Sequence, residues 1–159
     1  MKSVALSIVE DPIEVVTEAR VLDALIASET DVLMACGGKG ICATCHVYVE
    51  SGAENLTPMT AREKLSLKTL SSVRPNSRLA CQARIVGEGV QVALPGVNYL
   101  VQSDDLITLI GRRTDVDIVH PVNGSTLVQS GKIITRSRIE QLKTVDTDVA
   151  EMRARSMTL

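Results

Sequence analysis

Residues 36–45 read CGGKGICATC: Cys36, Cys42 and Cys45 spaced C-x5-C-x2-C, with glycines at 37, 38 and 40. The chain's fourth and last cysteine, Cys81, stands in the run SRLACQ. Glycines give such a loop the positive φ angles and close backbone approach that let several N–H groups point at sulfur. A three-plus-one set of thiolates whose close three share a glycine-rich loop is a ligand set for iron and inorganic sulfide.

A four-cysteine 2Fe–2S cluster is the first reading of this pattern, with Cys36, Cys42, Cys45 and Cys81 as metal- and cofactor-binding residues. A structural zinc site is its main rival, followed by disulfides or unligated thiols. Zinc sites usually show two paired C-x2-C or C-x2-H units, and only one such pair exists here. His46, next to Cys45, reads as a brace for the loop rather than a fifth ligand. The Thr44 hydroxyl is placed to donate to a sulfur. Lys39, inside the loop, brings a cation that favours a reduced, more negative cluster.

Working outward, residues 3–9 and 13–18 are β-branched runs separated by Pro12, which predicts a β-hairpin with Val4, Leu6 and Ile8 on one face. Thr17 is a candidate N-cap for a helix over about 18–28 whose stripe is Val21, Leu22, Leu25 and Ile26. After the cysteine loop, His46–Glu50 alternates as a strand and Ser51-Gly52 ends it. Thr60 and Glu63 have capping-box spacing, predicting a second helix that carries Leu65, Leu67 and Leu70 and ends before Pro75. The runs ARIVG and VQVAL, either side of Gly87-Glu88-Gly89, predict a closing hairpin. The order hairpin, helix, cysteine loop, strand, helix, cysteine, hairpin is β-grasp-like.

These residues resemble a 2Fe–2S ferredoxin. The five-residue first gap, the CATCHVYV run and SRLACQ are similar to the adrenodoxin-like branch, and the likeness covers residues 1–95. It implies an α+β fold, a β-grasp ferredoxin, and a one-electron carrier rather than an enzyme. It also implies that Cys36 and Cys42 hold one iron while Cys45 and Cys81 hold the other. Its implied partners are a reductase upstream and an acceptor enzyme downstream. That branch presents an acidic helix to its partners, whereas residues 60–72 here hold one acid, Glu63, against Arg62, Lys64 and Lys68.

Residues 96–159 form a second unit beyond a minimal ferredoxin, with 8 acids and 8 bases. Leu106–Ile110 is β-prone, and Asn123-Gly124 between two β-rich runs signals a hairpin. Thr135 can cap a helix whose stripe is Ile139, Leu142, Val145, Val149 and Met152. That stripe can serve as a homodimer face or pack on its own hairpin. His120 reads as structural. The extension motivates a second functional reading, in which cluster state controls binding by a regulatory or scaffold protein.

The 159 residues include no Phe or Trp and carry a net charge of −2. Such a chain offers no stacking platform or basic tract for nucleic acid. No apolar run approaches the ~20 residues of a membrane span. The first residues lack a signal peptide's apolar core and cleavage site, so a reducing cytoplasm is the expected compartment.

Overall fold

The computed structural model describes residues 2–6, 13–15, 18–30, 32–71 and 73–159, with backbone alone for 2–6 and 13–15. Strand β1 (Lys2–Leu6) pairs antiparallel with β2 (Ile13–Val15), as the first hairpin predicts. The proposed face of Val4, Leu6 and Ile8 and the Thr17 cap lie outside what is described. Helix α1 (Val21–Ala27) instead starts at Arg20, whose backbone N–H donates to Asp23 Oδ2 at 2.9 Å. Its buried stripe is Val21, Leu22, Ala24 and Leu25, while Ile26 of the expected stripe is exposed. The smaller Ala24 fits where the helix meets the sheet, and Ile26 turns out to solvent.

Strand β3 (His46–Ser51) leads out of the cysteine loop, and helix α2 (Ala61–Thr69) follows with Thr60 as its N-cap. Strands β4 (Ser77–Leu79) and β5 (Val90–Ala93) complete a five-stranded sheet of order β2-β1-β5-β3-β4. The expected closing hairpin does not form. Residues 84 and 85 make isolated bridges to Arg20 and Leu56, and β5 runs into the sheet centre, parallel to β1 and antiparallel to β3. A central strand satisfies both of its edges, which a terminal hairpin would leave half open. The alternation expected for residues 46–50 is also absent, since His46 to Val49 are all buried. One face meets the α1 core, and on the other Arg74 lies over the Tyr48 ring at 4.2 Å.

Three further strands, β6 (Val97–Tyr99), β7 (Asp117–Val119) and β8 (Thr126–Val128), form a separate sheet of order β6-β7-β8. The Asn123-Gly124 signal does mark a hairpin, but its connection spans residues 120–125 rather than a two-residue turn. The β-prone run 106–110 falls largely in a 3-10 helix, Ser103–Leu109. Asp146, a carboxylate from far along the chain, holds the start of that helix through Ser103 N (2.7 Å) and Oγ (2.6 Å). Such a tertiary bond overrides a local strand preference.

The last predicted helix forms as two, α3 (Arg136–Gln141) and α4 (Lys143–Ser156), joined at Leu142. Thr135 caps α3 as expected, accepting from Arg138 N at 3.2 Å. All five stripe residues are buried, but they serve two cores. Ile139 and Leu142 pack with Leu100, Leu106, Ile118 and Val128 inside the extension. Val145, Val149 and Met152 pack on Cys36, Ile41 and Cys42. The stripe offered as a homodimer face is therefore covered within the chain.

Candidate functional site

Residues 36–45 wrap the end of the five-stranded sheet, where β3 begins and β4 ends, and Cys81 enters two residues after β4. All four cysteines are unpaired by disulfides and each is at most 4 % exposed. They come as two pairs. The Cys45 and Cys81 sulfurs lie 3.4 Å apart. The neighbouring thiols of Cys36 and Cys42 act on each other, which holds Cys36 down to about 5 and pushes Cys42 up. Backbone N–H groups of Ile41, Lys39 and Gly40 lower Cys36 further. Cys81 falls to about 7, first through its bond with Cys45 and then through Gln82 and the Gly40 amide, while Cys45 rises.

This donor set fits a binuclear group bound through sulfur. Thiolates are the binding form, and each pair contains one thiol already biased toward it. Inward-pointing amides are what an anionic iron–sulfur group requires. Among the described residues no three Cys, His, Asp or Glu side chains gather where one metal ion could be held.

The loop conformation rests on glycine, and Gly40 shows why. Its φ is +75°, and a Cβ there would meet Gln82 Cδ at 2.8 Å. Gln82 is a site residue that sequence reading missed. Its Nε2 reaches both Cys81 Sγ and Gly38 O at 3.5 Å, stitching the fourth cysteine to the loop. Ser66 of α2 donates to Gly40 O at 2.5 Å. Thr44 Oγ1 accepts from Ala35 N at 3.2 Å, which leaves its proton for Cys42 Sγ, 3.1 Å away. This is the contact expected of Thr44.

His46 points away from the sulfurs' partners. Its Nε2 lies 2.8 Å from Ser77 Oγ on β4, and Ser77 Oγ also accepts from Arg74 N. Burial, reinforced by Arg74, pushes its pKa down to about 4. A neutral ring that ties β3 to β4 directly behind Cys45 matches the bracing role.

The extension closes over this site. Pro121 O accepts from Ala43 N at 2.8 Å, and Asn123 O accepts from Ser71 N at 2.9 Å. His120, expected to be structural, is buried: its Nδ1 accepts from Val122 N, so Nε2–H donates to Asp148 on α4 at 2.9 Å. No motif announces this docking, because apolar contact between distant segments leaves only a generic helical stripe in sequence.

Comparison with known proteins fits this site. The family model described as "2Fe-2S iron-sulfur cluster binding domain" matches residues 8–86. The chain is 32% identical over 96 residues to the 2Fe-2S ferredoxin-5 of Aquifex aeolicus, covering 60% of this chain and 100% of that one. It superimposes on the ISC-like 2Fe-2S ferredoxin of Pseudomonas putida JCM 20004 with a TM-score of 0.55 at 26% identity, over 60% of this chain and 93% of the other. A chain of the covalent putidaredoxin reductase–putidaredoxin complex matches with a TM-score of 0.50 at 29% identity, over 59% and 98%. The fold is the α+β ferredoxin fold, and the cofactor is one 2Fe–2S cluster. Proteins of this kind carry electrons and are not enzymes, and the chain belongs to the 2Fe–2S ferredoxin family.

Proposed function

We propose that this protein shuttles single electrons between a reductase and acceptor enzymes, with Cys36, Cys42, Cys45 and Cys81 as the cluster ligands. The observation that carries the assignment is the gathering of four buried thiols, three on a glycine-rich loop and Cys81 brought to it with its sulfur 3.4 Å from that of Cys45. Cys36 and Cys42 serve one iron, Cys45 and Cys81 the other. When bound, the cluster supplies one-electron reduction and reoxidation. The chain's own residues keep water from the sulfurs, and their amides offset added negative charge. A reductase as upstream partner is supported by the match to a chain of the putidaredoxin reductase–putidaredoxin complex. Free, buried thiols suit a reducing cytoplasm. Among the described residues no helix is long and apolar enough to cross a membrane.

Two units divide the work in this reading: residues 1–95 hold the cluster and 96–159 form the extension. The test is iron and sulfide content with visible and electron-paramagnetic-resonance spectra, in the native protein and in each Cys→Ser variant. Two irons per chain, and an altered or lost spectrum in all four variants, are expected. An unchanged spectrum and reversible reduction in Cys42→Ser would sink the ligand assignment.

A second reading, redox-controlled binding through the extension, is favoured by the packing of Val145, Val149 and Met152 on the Cys36/Cys42 loop. Hydrogen exchange along residues 143–156 in the oxidised and reduced protein tests it. Equal protection in both states leaves the carrier alone.

A further inference from the structure

The extension covers one side of the cysteine loop and leaves another open, at Gly37–Lys39. Gly37 is exposed, with Gly38 and Lys39 half-buried. A shallow open depression there has Cys36 at its floor and Met34, Arg153 and Met157 on its walls. Met157 is 88 % exposed, and Met34 is exposed beside it. Soft apolar side chains at a rim of this kind adapt to varied partner surfaces.

The charged side chains that line the opening, Lys39 and Arg153, are both basic. Arg62 Nη1 of α2 donates to Lys39 O at 3.4 Å. Arg20 Nη1 lies 3.2 Å from where a Cβ on Gly38 would stand. Lys39 Nζ donates to Leu159 O at 3.1 Å, and Arg153 projects from α4. Asp104 lies with Arg153 and Asp146 along a separate depression, and the other acids are turned to other work. Glu63 is buried against Arg78, Asp23 pairs with Arg20, Asp148 holds His120, and Asp146 holds Ser103. Glu151 precedes Arg153 by two positions, about 200° away round the helix.

From this we infer that the Gly37–Lys39 opening is the docking surface for a redox partner that presents an acidic patch around an apolar centre. Arg62, Arg153 and Lys39 steer that partner, and Met34 and Met157 meet its centre. The inference rests on the carrier reading above. The apolar rim and the basic residues that line it argue for a protein surface whose carboxylates complement them. In the transfer no bond forms or breaks: one electron passes between the partner's centre and the cluster, so one is oxidised as the other is reduced.

Two measurements on the cluster-loaded protein test it. In the first, reduced protein is mixed with one-electron oxidants of opposite charge, the Co(EDTA) anion and hexaamminecobalt(III), at ~10 mM and ~1 M ionic strength, where charges are screened over about 30 Å and 3 Å. The anion should react faster at low salt and lose roughly tenfold at high salt. The double variant Arg62→Glu/Arg153→Glu should slow the anion and speed the cation, with the same visible spectrum and with both rates compared at equal driving force after the midpoint potential is measured. In the second, protein labelled with carbon-13 at its methionine methyls is titrated with hexacyanochromate(III). Met157 and Met34 should broaden and Met59 should not, and the double variant should abolish the broadening.

A faster reaction with the cation in the native protein, or rates and broadening unaffected by the double variant, would overturn the inference. So would a Met157 shift that grows with protein concentration alone, which would give the surface to a second copy of the chain. Failure of the carrier reading shows separately: no iron–sulfur spectrum develops, while the methyl titration still reports whether the surface collects anions.

Discussion

Glu63 and Arg78 form a bidentate ion pair in the protein interior, Nε to Oε1 at 2.8 Å and Nη2 to Oε2 at 3.1 Å, with Glu63 wholly buried. The same carboxylate accepts from Leu79 N at 2.9 Å, so it anchors the strand that delivers Cys81. The capping-box spacing of Thr60 and Glu63 is therefore half realised. Thr60 Oγ1 accepts from Glu63 N, but the Glu63 side chain turns into the core instead of back to the cap. This leaves the exposed charges of α2 entirely basic: Arg62, Lys64 and Lys68.

Removing one partner of a buried pair strands the other's charge and costs about 3–5 kcal/mol. Glu63→Ala should lower the unfolding free energy, read from urea denaturation, by that amount. Glu63→Leu combined with Arg78→Met should lose clearly less, because no charge is left uncompensated. An additive double-mutant cycle would contradict the coupling.

Gly40→Ala puts a side chain into left-handed backbone at φ +75° and against Gln82. The backbone alone costs about 1–2 kcal/mol, and the displaced Gln82 no longer ties Cys81 to the loop. Iron content per chain after cluster reconstitution should fall well below the native value, and Gly37→Ala, with open space around its Cβ, should fall less.

Met152→Ala opens a cavity under the cysteine loop, at a cost of about 2–5 kcal/mol. Loss of the cluster to an iron chelator, followed by the visible absorbance, should be several-fold faster than in the native protein. A matched change at Met59, packed on the other core, should leave that rate unchanged at equal stability.

Tyr99 is raised above its ordinary 10.0, first by burial and then by the negative charge of Cys45, Tyr48 and Cys42. A folded-state pKa above the unfolded value favours the protonated phenol in the fold. The stability this contributes is complete below pH 10 and declines as pH climbs past it. A pH titration of phenolate absorbance should show Tyr99 ionising late or only with unfolding. Tyr99→Phe should remove that component and flatten the alkaline loss of stability.

The parts legible in sequence are those fixed by short-range chemistry. Cysteine spacing, loop glycines, the Thr60 and Thr135 caps and the stripe from Ile139 to Met152 depend on residues within a turn or two of each other. The parts that escaped depend on partners far along the chain. β5 reads locally as half of a hairpin, yet its neighbours are β1 and β3. Residues 103–109 read as a strand until Asp146 is known to hold Ser103. Leu65 looks like core beside Leu67 but is 66 % exposed, because α2 meets the sheet through Glu63, Leu67 and Leu70.

The closure of α4 and Pro121 over residues 36–43 also bears on how the protein matures. Iron and sulfide must reach Cys36 and Cys42 from outside, and with α4 seated both residues are buried on that side, leaving the opening at Gly37–Lys39 as the way in. Residues 36–81 leave the ribosome before residues 143–156, so the unfinished chain offers a loop that the finished one hides. Loading during synthesis meets a cradle open on both sides, whereas loading afterwards meets one side closed by a helix held by three apolar side chains and the His120–Asp148 bond. The order of the sequence thus makes the cradle most accessible before its cover is made.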